Sequence, residues 1–143
     1  METKEKLLVS ACLLGQCCAY DGRHRKSEAV LRLAERYELI PICPEREGGL
    51  PTPRVPSERA SGRVLSKDGQ DVTRAYERGA AAALSLALES KVAFAVLKSK
   101  SPSCGRGEIY DGSFTHTLTP GNGVTAELLL SQSIPVYTEK EIE

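Results

Sequence analysis

The sequence has no excess of charge of either sign, since its 143 residues contain 19 Lys and Arg against 19 Asp and Glu. Net neutrality argues against a dedicated nucleic-acid-binding protein, because such proteins normally carry a clear basic excess. The longest candidate apolar run, 79–88, is shorter than the roughly 18 residues that span a bilayer, and Ser85 interrupts it. The apolar stretch after the charged N-terminus is too short for a signal peptide. We therefore expect a cytoplasmic protein with no membrane association.

Four common motifs of catalysis and binding are also missing. The sequence contains no GxGxxG, Walker A, GxSxG or HExxH pattern, which excludes the usual dinucleotide, P-loop and hydrolase interpretations. The two histidines, His24 and His116, lack the spacing of metal ligands, and we interpret both as surface residues. The length of the chain predicts one compact domain over residues 1–143.

Cysteine is the informative residue type, and it occurs at positions 12, 17, 18, 43 and 104. Disulfides are not expected without a secretory signal, because the cytosol keeps thiols reduced, and an odd number of cysteines cannot pair completely. The spacing is not that of a zinc ribbon. A single cysteine is more often a small buried apolar residue than a ligand. The interpretation therefore depends on where these residues stand relative to the predicted elements.

Apolar runs of strand length alternate with helical patterns along the chain. Strands are predicted at 7–9, 39–42, 92–97 and 134–137, and helices at 28–37, 72–90 and 126–131. This alternation predicts an α/β fold, a single three-layer domain with a small, mostly parallel sheet of the Rossmann-like or flavodoxin-like kind.

Proline and turn residues refine this outline. Pro41 places the second strand toward a sheet edge or a strand end. Four prolines between 44 and 56 are expected to stiffen that segment and keep it from forming a helix. A small turn or hairpin is expected around 63–69, and an extended segment at 109–114.

Cys12, Cys43 and Cys104 each follow one of the first three predicted strands. The carboxyl ends of parallel strands meet at one edge of the sheet, where ligands bind in such folds, so we expect these thiols to share a site. Thiolates select soft metals, which leaves Zn²⁺, Cu(I) or an iron–sulfur cluster, and the residues rank the cluster and zinc nearly equal. Three protein ligands leave one coordination position open, which is typical of catalytic sites.

Five polar side chains near these thiols are candidates for chemistry or substrate binding. Glu45 is a candidate proton carrier, with an exposed surface carboxylate as the alternative. Ser101 and Ser103 flank a proline, where a hydroxyl either orients a substrate or forms the turn. Lys98 is a candidate cation for an anionic ligand, or a surface lysine. Arg54 is a candidate clamp for a phosphate or carboxylate, or one half of a structural ion pair.

The adjacent pair Cys17 and Cys18 leaves several interpretations open. Neighbouring cysteines rarely bind one metal together, so at most one of them is expected at the site. Cys18 is the better candidate for a fourth ligand or for a sulfur acceptor, and a free loop thiol is the alternative. A thiol enzyme without metal would use either residue as its nucleophile.

Eight motifs stand in order along the chain: 10–15, Cys18 with 20–22, 43–45, 48–54, 71–73, 97–98, 101–105 and 109–112. Together they resemble the short bacterial family that contains 2-thiouracil desulfidase, over residues 7 to 137. The resemblance implies a [4Fe–4S] enzyme that removes sulfur from thiolated pyrimidines, with water replacing the sulfur at the ring carbon. It also implies that three cysteines hold the cluster and that the fourth iron stays open for the substrate sulfur.

Matched by motif, the resemblance makes Cys12, Cys43 and Cys104 the cluster ligands and Glu45 and Ser101 the acid–base pair. Two places depart from the family pattern and bear on substrate preference. These are Ala19, where the family pattern predicts Arg, and 46–47, where an apolar pair is more usual.

We therefore predict a cytoplasmic desulfidase whose small-molecule partner is a thiolated uracil base or nucleotide. Arg54, Lys98 and Ser103 are its predicted substrate-binding residues. The alternative is a non-catalytic zinc or iron–sulfur protein that acts as a sensor or sulfur carrier.

Overall fold

The computed structural model describes residues 4–142. In chain order the elements are β1 (Glu5–Ser10), α1 (Glu28–Arg32), β2 (Tyr37–Ile42), α2 (Pro44–Glu47), β3 (Ser57–Ala60), β4 (Arg63–Ser66), α3 (Thr73–Ser90), β5 (Phe94–Leu97), β6 (Glu108–Tyr110), β7 (Leu118–Pro120), α4 (Val124–Ser131) and β8 (Val136–Thr138). Short 3₁₀ turns cover Ala11–Leu14, Leu33–Glu35 and Glu139–Glu141. No helix within the described range combines the length and the apolar character that a membrane span requires.

Four strands form a parallel sheet in the order β2-β1-β5-β8. Leu7, Leu8 and Val9 of the inner strand β1 are completely buried, because a strand covered on both faces needs apolar side chains on both. β2 lies at the sheet edge, as Pro41 predicts. The expected α/β class with a small parallel sheet is confirmed.

The two faces of this sheet pack against different helices. Leu8 belongs to a core cluster with Ala83 of α3 and Leu129 of α4. Val9 points to the opposite face and packs in a second cluster with Val30 of α1, because successive side chains of a strand alternate between faces. The sheet is therefore the middle of three layers.

Two antiparallel hairpins, β3 with β4 and β6 with β7, lie outside the main sheet. The turn expected around 63–69 is present directly after β4, where a bridge between Leu65 and Asp71 closes it, while β3, the strand that pairs with β4, precedes that range. The four residues of β3, Ser57–Ala60, lack the apolar alternation that identifies a strand in the sequence. β6 overlaps the extended segment expected at 109–114 only at residues 109–110, and its partner β7 carries no strand signal of its own.

Two helix predictions are wrong in part. The segment 44–56 begins with a short helix, α2, because Pro44 occupies its first turn, where a missing backbone N–H and a fixed φ favour a helix. The helix expected at 28–37 ends as an α-helix at Arg32 and continues as a 3₁₀ turn, so that Tyr37 already belongs to β2. Ser27 caps α1, since its hydroxyl accepts from the backbone N–H of Val30 at 3.3 Å.

Helices α2 and α3 touch backbone to backbone at two glycines. A Cβ atom on Gly79 of α3 would overlap the carbonyl oxygen of Pro44, and one on Gly48 would overlap the carbonyl oxygen of Ala75. Glycine in a helix interior costs about 1 kcal/mol relative to Ala. This close approach explains why α3 contains Gly79 despite that cost.

We expect the substitution Gly79→Ala to lower the thermal stability of the protein. The methyl group gains helix propensity, but it forces α2 away from α3, and overpacking of this kind costs about 1–3 kcal/mol. Thermal unfolding followed by circular dichroism measures the difference. Ser85→Ala, at an exposed position of the same helix, is the matched control and should leave the midpoint unchanged or raise it. A midpoint of Gly79→Ala at or above that of the wild type would contradict the packing argument.

Candidate functional site

A cavity of about 450 Å³ opens beside the carboxyl ends of β1, β2 and β5. Its walls include Ser10 at the end of β1 and Cys12 after it, Cys43 after β2, and Ser101 and Cys104 after β5. The two outer hairpins close the other side, through residues on β3 and on the β6–β7 connection. Ligands of open parallel sheets bind at this edge because the strand-to-helix loops converge there.

The three cysteines that follow the strands all line this cavity, and Cys18 joins them there. Cys43 and Cys104 are buried, at 6% and 3% exposure, while Cys12 is half-buried. Cys17 is exposed and lies outside the cavity wall. The structure thus brings the predicted thiols to one place, and their role as ligands stays a prediction.

Cys18 and Cys43 are in direct contact. The thiol of Cys43 donates to the backbone carbonyl of Cys18 at 3.7 Å, and interaction with the Cys18 side chain is the main reason why the pKa of Cys43 falls to about 7. The same interaction and burial raise the pKa of Cys18. Cys43 therefore reaches the thiolate form more easily than an ordinary cysteine, and thiolate is the form that binds metals.

The other two thiols favour the protonated form in the metal-free chain. Burial, the larger cause, and repulsion from Glu45, the second cause, raise the pKa of Cys12 to about 11. The same two effects raise the pKa of Cys104 well above its ordinary value, although a hydrogen bond with the Ser10 hydroxyl opposes them. Binding of a metal group at these sulfurs must therefore release protons.

Glu45 lies in α2 and faces the cavity beside the thiols. Its carboxylate forms an ion pair of 3.5 Å with Arg54, and the two side chains are only 14% and 7% exposed. Burial raises the pKa of Glu45, and the charge of Arg54 opposes the rise. A buried carboxyl group of this kind can carry a proton closer to neutral pH than a surface glutamate.

Arg54 is occupied by protein groups on several sides. Besides Glu45, it donates to the backbone carbonyl of Cys18 at 3.2 Å and to Pro51 and Thr52 of its own loop. Its side chain lines the cavity, but its donors are used within the protein. The geometry favours the structural ion pair over the substrate clamp.

The two predicted serines have different surroundings. Ser101 lines the cavity, and its Oγ accepts from the backbone N–H groups of Ser103 and Cys104 at 3.1 and 3.0 Å. These bonds leave the hydroxyl proton of Ser101 free to be donated. Ser103 is fully buried, is not part of the cavity wall, and hydrogen-bonds Thr125 of α4 at 2.9 Å. Its position therefore gives no support to direct contact with a substrate.

The turn that carries Ser103 and Cys104 rests on the start of α4. Backbone N–H groups of Val124 and Thr125 donate to the carbonyls of Pro102 and Ser103, both at 2.8 Å. A Cβ atom on Gly123 would overlap the backbone of Ser103. The first turn of α4 is thus the support of the Cys104 segment.

Lys98 contributes a cation to the cavity wall, but its charge is already paired. The ammonium group lies 3.2 Å from Glu139 and also donates to Ser99. An anionic ligand would have to share this lysine with Glu139. The side chain is half-buried between these partners, and the role of Lys98 toward an anionic ligand stays a prediction.

Several residues of the wall carry no signal in the sequence. Tyr76 lies on α3, is 3% exposed, and has a pKa raised by burial and by Glu45. A tyrosine on the apolar side of a helix is ordinarily read as core. Glu58, Phe114 and His116 come from the two outer hairpins. His116 is exposed, as expected, but it stands at the rim of the cavity.

The thiols suit a group larger than one ion. Within residues 4–142, no three His, Cys, Asp or Glu side chains are close enough to hold a single metal ion, so the geometry does not support the zinc alternative. Soft thiolate donors from separate segments around a roomy cavity instead fit the donor set of an iron–sulfur cluster.

Comparison with known proteins identifies the family of this chain. The family model described as 2-thiouracil desulfurase matches residues 7–141. The chain belongs to this family. The resemblance that the sequence motifs indicate is thereby confirmed for nearly the whole chain.

Two proteins of similar length resemble this chain over nearly its whole extent. The protein of Bacillus subtilis (strain 168) described as "Uncharacterized protein YbbK" is 39% identical over 146 residues, which cover 95% of this chain and 97% of the relative. A solved structure described as "[4Fe-4S]-dependent thiouracil desulfidase TudS" is 45% identical, with a TM-score of 0.91, over 96% of this chain and 93% of that one.

Proposed function

We propose that this chain is a [4Fe–4S]-dependent desulfidase that acts on thiolated uracil bases or nucleotides, within a single domain of residues 1–143. The observation that carries the proposal is the convergence of three strand-end thiols on one cavity beside a buried carboxyl group. The family match and the high identity to TudS support it. None of the five cysteines, all of which lie within residues 4–142, forms a disulfide, and we place the enzyme in the cytoplasm, where thiols stay reduced.

Cys12, Cys43 and Cys104 would hold the cluster. When bound, it supplies a Lewis-acidic iron without a protein ligand, for which the soft sulfur of a thiocarbonyl is a suitable partner. Burial of two of the three sulfurs protects this group from solvent. The hydroxyl of Ser10 beside Cys104 is an outer partner that would orient that ligand.

The overall reaction exchanges one ring substituent. A thiocarbonyl and water give a carbonyl and hydrogen sulfide, so no electrons are gained or lost. Glu45 accepts a proton from the attacking water and returns a proton to the departing sulfur. Arg54 holds the carboxyl group in place through their ion pair. Ser101 donates its free hydroxyl proton to the substrate and orients the ring.

The charge of the wall is compatible with a nucleotide as well as a free base. Lysines and arginines outnumber carboxylates among the residues that line it. Arg54 and Lys98 are paired internally, Lys100 is half-buried, and Lys67 is exposed. Such cations favour an anionic group attached to the base.

Anaerobic purification followed by incubation with 2-thiouracil tests the proposal. We expect a coloured protein with about four irons and four acid-labile sulfides per chain, and uracil and sulfide released in equal amounts over many turnovers. A colourless protein with stoichiometric zinc would contradict it. Release of one sulfide per chain without further turnover would instead indicate a sulfur carrier.

A further inference from the structure

The seven aromatic residues of the chain fall into two groups. Tyr37, Phe94 and Tyr137 pack edge to face on the sheet, with ring centroids 5.6 and 5.3 Å apart. The other four, Tyr20, Tyr76, Tyr110 and Phe114, line the cavity. In a chain with only 5% aromatic residues, this concentration marks the cavity as a place for a flat ligand.

Phe114 differs from the other three rings. Arg25 lies over the ring of Tyr20 at 5.9 Å, Tyr110 packs against His116 at 5.8 Å, and Tyr76 is buried in α3. Among residues 4–142, the ring of Phe114 has no such aromatic or cationic partner. It is an apolar ring beside open space, on the wall formed by the outer hairpins.

A buried carboxylate holds Phe114 in an unfavourable backbone conformation. Phe114 has φ of +58°, in the left-handed region that residues other than glycine seldom adopt. Glu58 of β3 is 8% exposed, and its Oε1 accepts from the backbone N–H groups of Gly112 at 2.9 Å and Phe114 at 3.1 Å. The neighbouring hairpin thus fixes the connection between β6 and β7 from outside.

We propose that Phe114 stacks on the pyrimidine ring of the substrate and that Glu58 is the positioning residue that holds it there. The inference rests on the proposed function, because it assigns a ring-binding wall to the desulfidase cavity. Stacking of a base on an aromatic side chain is tolerant of ring substituents but requires a planar ring. Phe114 therefore selects for flatness, while the sulfur is recognised on the opposite, thiol-bearing wall.

The first test compares Phe114→Leu with Phe114→Tyr. We expect Leu to raise the KM for 2-thiouracil about tenfold with a smaller change in kcat, and Tyr, which keeps a ring, to remain near the wild type. Competitive inhibition by uracil should weaken by the same factor in Phe114→Leu, although uracil has no sulfur. Dihydrouracil has a saturated ring that is not planar. It should bind the wild type far more weakly than uracil does, whereas Phe114→Leu should bind dihydrouracil and uracil with equal affinity.

The second test addresses Glu58. Glu58→Ala should reproduce the KM defect, and Glu58→Gln should restore a low KM, because an amide oxygen still accepts from both N–H groups. Combining Glu58→Ala with Phe114→Leu should add no further loss if Glu58 acts through the ring. Thr115→Ala, at an exposed position of the same connection, is the control. Circular dichroism and iron content confirm that each variant is folded and loaded.

The outcomes separate this inference from the proposed function. If wild-type protein releases no uracil from 2-thiouracil, the proposed function fails, and uracil binding to the wild type and Phe114→Leu still tests the stacking. If the wild type is active but Phe114→Leu binds uracil and 2-thiouracil as tightly as the wild type, the stacking role is wrong. Should Glu58→Gln be as impaired as Glu58→Ala, the positioning role is wrong.

Discussion

Replacement of Cys104 by Ala is expected to give a folded protein without a cluster and without desulfidase activity. Cys104 is one of the three thiols that would hold the cluster, and it is the most buried of them. Loss of a ligand should lower the iron content to a small fraction and turnover by at least about 100-fold, since even outer partners of metal ligands cost 10–100-fold. Iron and sulfide analysis, visible absorption and uracil release measure the effect.

Variants of Cys17 and Cys18 provide the comparison for Cys104→Ala. Cys17→Ala should keep both the cluster and turnover, because Cys17 is exposed and outside the cavity wall. Full activity in Cys104→Ala would refute its assignment as a ligand. If Cys104→Ala keeps the cluster while Cys18→Ala loses it, the third ligand is Cys18. Unfolding midpoints of all variants show whether any loss of iron comes from loss of the fold.

The second large effect is expected for Glu45→Gln. Glutamine keeps the size of the side chain and an oxygen for Arg54, but it cannot accept or return a proton. We therefore expect kcat to fall about a hundredfold to ten-thousandfold, while iron content stays at the wild-type level. Anaerobic measurement of uracil release, with iron content determined on the same samples, separates these two quantities.

Glu47→Gln is the matched control, because Glu47 lies in the same short helix but is exposed. It should leave kcat unchanged. A wild-type kcat in Glu45→Gln would contradict the role of Glu45 as the proton carrier. Loss of iron in Glu45→Gln would show instead that this residue acts in binding the cluster.

The central sheet could be predicted from the sequence because its strands carry their own signal. Continuous apolar runs identify strands covered on both faces, and Pro41 identifies the edge. The strands of the outer hairpins are short, polar and half-buried, so their identity depends on their partners rather than on their residues. The helix α2 was not predicted because Pro44 favours a first helical turn as well as a break.

The functional site also divides into residues that local sequence locates and residues whose position depends on distant partners. Residues in the loops that follow apolar strands could be located, since topology brings Cys12, Cys43 and Cys104 to one edge of the sheet. The position of Ser103 depends on Thr125, a partner 22 residues away, which no local spacing reveals. Glu58 and Phe114 reach the cavity through contacts between two hairpins. Such contacts between distant segments are decided by packing, which a single sequence does not display.

The glycine contacts also determine how the protein responds to remote changes. The backbone of Gly79 contacts the backbone just before Glu45, and the backbone of Gly123 contacts the backbone just before Cys104. No rotatable side chain lies between the two backbones at either contact, so none can absorb a displacement. Protein interiors are dense and nearly incompressible, so a tilt of α3 displaces the segment that carries Glu45, and a tilt of α4 displaces the segment that carries Cys104. Since a misplacement of about 1 Å can cost about a hundredfold in rate, engineering for heat resistance must preserve the axes of these two helices.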